Sequence, residues 1–289
     1  MNTQHLPRKP QLPATGRALS GKLSALLAAC SVFALTPAQA QLIEYEDFET
    51  YTDGQVLANN GTTSVDGWVK SSNAGNLTFD ATVVEDAGNN YLLQNKGGAA
   101  GGFATVTQAG SGFGATTAND GFQTIAFRFL IDSSEGTAGA AGFGLAANDG
   151  FNDPHSKVGF EVNGSGEVLD TSNTVQATIQ LDTWYDAWLA VDHQGTATNG
   201  IGELYLQSAS DANFSTQTLV GTTFGGATGA GAYDTILLSS TALNGLNFAI
   251  DDIVYDNNGK NLAAIPEPSS AVLISGLVAG AMLLRRRRR

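Results

Sequence analysis

Short apolar or alternating runs separated by Gly-rich turns fill residues 41–264, and this pattern constrains the fold more than any other feature. Alternation of apolar and polar residues has the two-residue period of a β-strand. No stretch longer than two turns has the 3.6-residue period of an amphipathic helix. The pattern therefore predicts an all-β fold, a two-sheet antiparallel β-sandwich built from roughly a dozen short strands.

The strands and loops can be placed along the chain from this pattern. The predicted strands are residues 77–84, 91–94, 124–131, 143–147, 157–162, 177–181, 187–191, 201–206, 235–238 and 246–255. Glycine-dense segments at 96–102, 136–144 and 221–231 are predicted loops, although glycine also lets two backbones approach closely.

The C-terminal end carries three features in a fixed order. Pro266, Glu267 and Pro268 precede residues 269–284, which contain no charged residue. As a helix this span measures about 24 Å, and arginine side chains can snorkel to the surface of a hydrocarbon core about 30 Å thick. The positive-inside bias predicts that everything before this transmembrane helix lies outside the cytoplasm. The basic cluster after it consists of Arg285, Arg286, Arg287, Arg288 and Arg289.

This tail resembles the PEP-CTERM sorting signal of exported bacterial proteins. The resemblance covers residues 263–289, about a tenth of the chain. It implies recognition by an exosortase-type membrane peptidase, cleavage near Pro266–Glu267–Pro268, and delivery to the cell surface or extracellular matrix. Before that cleavage, the C-terminal helix would hold the chain in the inner membrane.

The N-terminal 40 residues have the composition of a secretory signal peptide. A basic segment precedes an uncharged stretch at 23–35, and Ala38 and Ala40 form an A-x-A cleavage site before Gln41. The general secretion machinery is therefore an expected partner, and the β-sandwich domain is predicted to occupy residues 41–262. Residues 27–30 also resemble a lipoprotein box that ends at Cys30, which would instead attach a lipid.

Charge and cysteine content narrow the function of the exported part. Residues 41–264 hold five basic and 26 acidic residues, a net charge of −21, although the whole chain carries −13. Such a surface repels nucleic acid and anionic lipid headgroups and favours solubility and divalent cations. If the signal peptide is removed with Cys30, no cysteine remains for disulfides or thiolate chemistry. The 224 residues must then be stabilised by a hydrophobic core.

Three segments resemble laminin-G-type or concanavalin-like jelly rolls. They are the opening residues 44–49 followed by Trp68, the hairpin formed by 184–192 and 202–206, and the closing residues 248–255. The resemblance implies that the hairpin lies in the sandwich core, with Trp184 and Trp188 as core residues, and that the last strand pairs with or lies near the first. A galactose-binding-like jelly roll, which also has an early Phe-Glu and a late Ile-Asp-Asp, is the alternative.

Catalysis is not predicted, and a jelly-roll glycoside hydrolase acting on extracellular polysaccharide is the alternative. Glu44, Glu46 and Glu49 superficially resemble the carboxylate strand of jelly-roll glucanases. Retaining hydrolysis needs two carboxyl groups about 5–5.5 Å apart, and Glu44 and Glu46 share one face of a regular strand. After processing, only His155 and His193 remain as histidines, both in turn-like segments, which gives no basis for a Ser-His-Asp triad.

A structural calcium ion is the one cofactor the sequence suggests, and no cofactor is required. If the first and last strands lie together, Glu46 or Glu49 can converge with Asp251 or Asp252 on a cation that takes six to eight oxygen ligands. Adjacent Asp251 and Asp252 are expected to point to opposite faces of their strand. The Asn- and Asp-rich residues 148–153 are a second candidate, and hydrogen-bonded carboxylates at turns are the alternative to both.

Glycan binding is the expected function of a surface-displayed sandwich, as an extracellular matrix or adhesive component. Sugar recognition requires exposed aromatic side chains beside Asp or Asn. Trp68 and Tyr233 lie in loop-like sequence and are the predicted platforms.

Overall fold

A computed structural model describes residues 42–59, 64–70, 77–98, 104–109, 122–146, 158–192, 201–225, 235–242 and 244–266. The predicted signal peptide, the residues from Glu267 onward, Tyr233, His155, His193 and residues 148–153 lie outside this set. Among the described residues, no helix combines the length and apolar character that a membrane span requires. One turn of 3₁₀ helix, Ala212–Phe214, interrupts the strands.

Sixteen strands follow one another within the described ranges. They are β1 (Ile43–Glu46), β2 (Val56–Asn59), β3 (Trp68–Lys70), β4 (Leu77–Asp86), β5 (Asn89–Gly98), β6 (Ala104–Ala109), β7 (Phe122–Asp132), β8 (Ala140–Ala146), β9 (Val158–Asn163), β10 (Glu167–Leu169), β11 (Val175–Thr178), β12 (Trp184–Asp192), β13 (Ile201–Gln207), β14 (Thr218–Gly221), β15 (Thr235–Ser240) and β16 (Asn247–Asp256).

The strands form two antiparallel sheets, which confirms the predicted all-β sandwich. The nine-stranded sheet has the order β14-β13-β12-β7-β16-β5-β4-β2, and β1 pairs with the end of β16. The seven-stranded sheet has the order β11-β10-β9-β8-β15-β6-β3. The antiparallel pairing of β1 with β16 also confirms that the last strand lies beside the first.

The core between the sheets is aromatic. Ile125, Phe127, Phe129 and Ile131 alternate along β7 and are buried, as the two-residue period of a strand requires. Across the sandwich, the rings of Phe127 and Phe143 stack with centroids 4.1 Å apart. The described residues include no cysteine, so no disulfide supports them, and large aromatic side chains bury the most apolar area per residue.

Glycine in β8 serves strand packing, so the predicted loop at 136–144 is wrong in its second half. β8 begins at Ala140 and pairs with β9 and β15. A Cβ atom on Gly142 would lie 2.5 Å from the carbonyl oxygen of Phe160, closer than any side chain tolerates. The glycine therefore permits a close approach of the two backbones.

A C-terminal strap, residues 257–266, continues from β16 across the outer face of the nine-stranded sheet. Its Ile265 joins a second hydrophobic cluster that includes Leu42, Trp188 and Val254 and is separate from the inter-sheet core. Packing thus continues to Ile265, three residues past the predicted domain end, and Pro266 is exposed.

Candidate ligand-binding face

The outer face of the nine-stranded sheet carries the side chains of β12 that alternate with the buried ones. Tyr185, Ala187 and Leu189 belong to the inter-sheet core, so Trp184, Asp186 and Trp188 point to the opposite face. Trp184, Trp188 and Ala190 do share one face, but the expectation that both tryptophans lie in the inter-sheet core is wrong. They instead belong to the outer face, in two different surroundings.

The covered half of this face contains Trp188 beneath the strap. The indole Nε1 of Trp188 donates a hydrogen bond to the carbonyl oxygen of Ala263 at 2.8 Å, and Trp188 is only 1% exposed. Tyr205 lies opposite Trp188 on β13 and packs against the same cluster. A cation from the strap, Lys260, lies 4.8 Å from the centre of the Tyr205 ring.

The open half contains an aromatic patch, which we define as Tyr91, Arg128, Trp184 and Asp186. The rings of Tyr91 and Trp184 meet edge to face with centroids 5.2 Å apart. The Arg128 guanidinium lies 5.6 Å from the centre of the Trp184 ring, and its Nε is 3.5 Å from Asp186 Oδ1. The two aromatic residues are half-buried and the Asp186 side chain is 38% exposed, so ring surface and charged groups both face solvent.

A β-bulge at Asp252 connects the patch to a pair of buried acids. The pairing of β16 with β7 shifts between Asp251 and Val254, and Asp252 has φ +48°. Asp251 lies opposite Arg128, and Asp252 Oδ2 lies 3.5 Å from Arg128 Nη1. The bulge therefore brings both carboxyl groups toward one guanidinium, and the prediction that they point to opposite faces is wrong.

Burial raises the pKa of both aspartates. The pKa of Asp251 rises to about 6, although hydrogen bonds from the Asn89 amide and the Asp252 backbone N–H oppose the rise. Burial, and then the charge of Asp251, raises the pKa of Asp252 to about 7, and Arg128 opposes this only in part. Asp252 Oδ2 is buried without a hydrogen-bond partner despite its ion-pair contact with Arg128.

The four predicted calcium ligands, all within the described residues, do not form a metal cluster. Glu46 accepts hydrogen bonds from the Phe48 backbone at 3.0 Å and the Tyr51 hydroxyl at 3.2 Å. Glu49 accepts one from the Asn90 backbone, and its charge contributes to the raised pKa of Asp251. Across the described part of the chain, no group of three or more His, Cys, Asp or Glu side chains is placed to hold a metal ion.

The carboxylate pair of the hydrolase alternative is separated by a second bulge. Glu44 pairs with Val254, but Glu46 pairs with Ile253, because the register shifts between them. Directly paired residues project to the same face, and Val254 belongs to the outer cluster while Ile253 belongs to the inter-sheet core. The prediction that Glu44 and Glu46 share a face is therefore wrong.

Trp68 is not an exposed platform. It begins β3, has no exposed surface, and its ring centre lies 5.9 Å from that of Phe48. Asp66 and Gly67 precede it with φ +49° and +85°, so a tight turn delivers Trp68 into the core. The loop-like sequence before Trp68 is this turn, and the prediction of surface exposure for Trp68 is wrong.

Comparisons with known proteins add little. No family model matches the chain, and no curated protein matches it. A protein of unknown function from Shewanella oneidensis MR-1 is 14% identical with a TM-score of 0.41, over 89% of this chain and 100% of that one. A candidate sugar-binding protein from Bacteroides thetaiotaomicron is 13% identical with a TM-score of 0.36, over 74% and 98%. The VIP36 exoplasmic/lumenal domain, in a Ca²⁺/Man3GlcNAc-bound form, is 9% identical with a TM-score of 0.36, over 68% and 87%. At these values the similarities carry no argument about ligand or activity.

Proposed function

We propose that this chain is an exported, surface-sorted, non-catalytic component of the cell surface or extracellular matrix that binds a neutral glycan. The aromatic patch is the observation that carries the proposal. It combines ring surface for the apolar face of a sugar with a carboxylate and a guanidinium that can hydrogen-bond hydroxyl groups. The sandwich that presents it is, in this proposal, a jelly roll of the concanavalin or laminin-G type.

The charge of the exported part favours a neutral glycan over an acidic one. Residues 41–264 carry a net charge of −21, which repels polyanions at a distance. Within the patch, Arg128 already has Asp186 and Asp252 as neighbours at 3.5 Å, so its charge is largely compensated. A hydroxyl-rich polymer without carboxylates or sulfates therefore suits this surface best.

A glycan array probed with residues 41–266, with and without EDTA, tests the proposal. We expect binding to at least one neutral polysaccharide and its loss in the Trp184→Ala variant. Trp188→Phe is the matched control, because it alters an indole on the same strand that is covered by the strap. A flat array would contradict glycan binding, and hydrolysis of any bound glycan by the wild type would contradict the non-catalytic assignment.

Surface sorting rests on the two terminal sequence signals. The proposal is that the general secretion machinery exports the chain, and that an exosortase-type peptidase then cuts near Pro266–Glu267–Pro268 while residues 269–284 hold it in the membrane. Replacement of these three residues by alanine should leave an uncut precursor in the membrane fraction. Normal release of this variant from the membrane would contradict the sorting proposal.

Structural calcium at the junction of β1 and β16 is a second proposal, favoured by one specific observation. Two buried carboxyl groups, Asp251 and Asp252, are adjacent, and the Arg128 guanidinium lies 3.5 Å from Asp252 Oδ2. A divalent cation with additional backbone carbonyl and water ligands would compensate the second negative charge. We expect EDTA to lower the melting temperature of the wild type but not of Asp252→Asn. An identical response of the two proteins would contradict a calcium site at Asp252.

A further inference from the structure

The C-terminal strap is held on the sheet by hydrogen bonds from three strands or their flanking residues. Thr124 Oγ1 donates to the carbonyl oxygen of Gly259 and accepts from the backbone N–H of Asn261, both at 2.9 Å. The side-chain amide of Gln217 donates to Leu262 O at 3.3 Å, and Trp188 Nε1 donates to Ala263 O. The strap therefore uses its own backbone polar groups for docking.

The docked segment ends directly before the sorting motif. Ile265 is 8% exposed in the outer cluster, and the next residue, Pro266, is the first of the Pro-Glu-Pro triplet. Leu42, the second residue after the predicted signal-peptide cleavage site, belongs to the same cluster. Both ends of the exported domain are thus fixed in one small hydrophobic cluster.

Peptidases bind an extended substrate through its backbone, over several residues on the N-terminal side of the cut. A cut at or next to Pro266 requires the backbone groups around residues 262–265. The carbonyl groups of Leu262 and Ala263 are already bonded to Gln217 and Trp188. The same segment cannot be docked on the sheet and lie in a peptidase active site.

We infer that docking of the C-terminal strap controls proteolytic access to the peptide bonds next to Pro266. The strap must leave the sheet before the chain is cut, and it re-docks afterwards as the mature C-terminus. The identity of the peptidase rests on the proposed sorting function. When local opening is fast relative to cleavage, the cleavage rate follows the population of the open strap. Weakening the strap should therefore accelerate cleavage in proportion to its opening.

Thr124→Val tests this inference because it removes the two hydrogen bonds of the strap made by one buried hydroxyl and keeps the side-chain shape. Ser240→Ala is the matched control, because it removes a buried hydroxyl that donates to Leu246 O, away from the strap. In the full-length chain in detergent micelles, we expect Thr124→Val to speed hydrogen exchange at Ala263, whose backbone N–H donates to Asn261 Oδ1 at 3.1 Å, by about tenfold. Ser240→Ala should leave this rate unchanged.

Two cleavage assays complete the test. A broad-specificity serine protease added to the micelles should cut within residues 262–265 about tenfold faster in Thr124→Val than in the wild type or Ser240→Ala. Pulse-chase labelling in the native host should show the same order for removal of the C-terminal tail. Faster exchange without faster cleavage would overturn the inference, and so would equal exchange in all three proteins. If the host cuts none of them, the sorting proposal fails, and the added protease still decides whether the strap controls access.

Discussion

Trp184 and Trp188 lie four residues apart on the same face of β12, yet the fold uses them in different ways. Trp188 is closed off by the strap, whose Ala263 carbonyl bonds the indole from 75 residues further along the chain. Trp184 lies beyond this cover, where Tyr91 and Arg128 surround it but leave ring surface open. One face of a sheet is therefore divided into a structural half and a half available for binding.

The division follows from where distant segments meet the sheet. Leu262, Ala263 and Ile265 of the strap complete the apolar cluster around Trp188, so removal of that ring should cost folding stability. Around Trp184, the neighbours are polar and partly exposed, so removal of that ring should cost binding.

Trp188→Ala should destabilise the domain by about 3–5 kcal/mol, because it leaves a cavity under the strap and an unpaired Ala263 carbonyl. Trp184→Ala should cost roughly 1 kcal/mol or less, as is usual for partly exposed positions. Urea denaturation of the two variants measures both free energies of unfolding. Equal losses would show that the outer face is not divided in this way.

The stability of the domain without calcium should fall as the pH rises from about 4 to about 7. The folded-state pKa values of Asp251 and Asp252 are raised from 3.8 to about 6 and about 7. The folded state therefore binds more protons than the unfolded state in this range, and that stabilisation is lost as the pH passes the folded-state values. Thermal unfolding in EDTA across this range measures the slope.

Asp252→Asn should flatten this pH dependence and stabilise the calcium-free domain at pH 8 by roughly 2 kcal/mol. Asparagine is suitable here because it tolerates the positive φ of position 252. Glu135→Gln, at an exposed acid of the turn after β7, is the control. An unchanged slope in Asp252→Asn would assign the pH dependence to other groups.

Gln217→Ala should have a small effect, a loss of about 0.5–1.5 kcal/mol, because it removes a single hydrogen bond to Leu262 of the strap. Hydrogen exchange should increase at residues of the strap and not in β7. An increase spread equally over both would mean that the strap unfolds only with the whole domain.

The local periodicity of the sequence predicts much of the sandwich, because strand alternation depends on adjacent residues. The predicted strand at 246–255 is observed as Asn247–Asp256, and Trp184 and Trp188 lie on one face of β12, as the two-residue period of a strand requires. Strand periodicity could not predict which face of β12 lies in the inter-sheet core, because both faces of β12 carry aromatic residues. Only the strap, which is distant in sequence, separates a covered indole from an open one.

The candidate site was harder to predict because it depends on irregular backbone. A bulge moves Asp252 next to Arg128, and another separates Glu44 from Glu46, whereas the sequence arguments assumed regular strands. The turn before Trp68 has the same composition as a surface loop, but its positive φ angles direct the indole inward. Arg128 could have indicated the candidate site from sequence alone, because a single cation within an apolar strand must contact an acid or solvent.

Binding of neutral polysaccharides by the wild type, Trp184→Ala and Trp188→Phe, measured side by side by calorimetry on residues 41–266, tests the central claim most directly. We expect saturable binding of a ligand by the wild type, at least tenfold weaker binding by Trp184→Ala, the equivalent of about 1.4 kcal/mol, and unchanged binding by Trp188→Phe. Equal binding by all three proteins would contradict the claim that the open half of the outer face is the glycan-binding site.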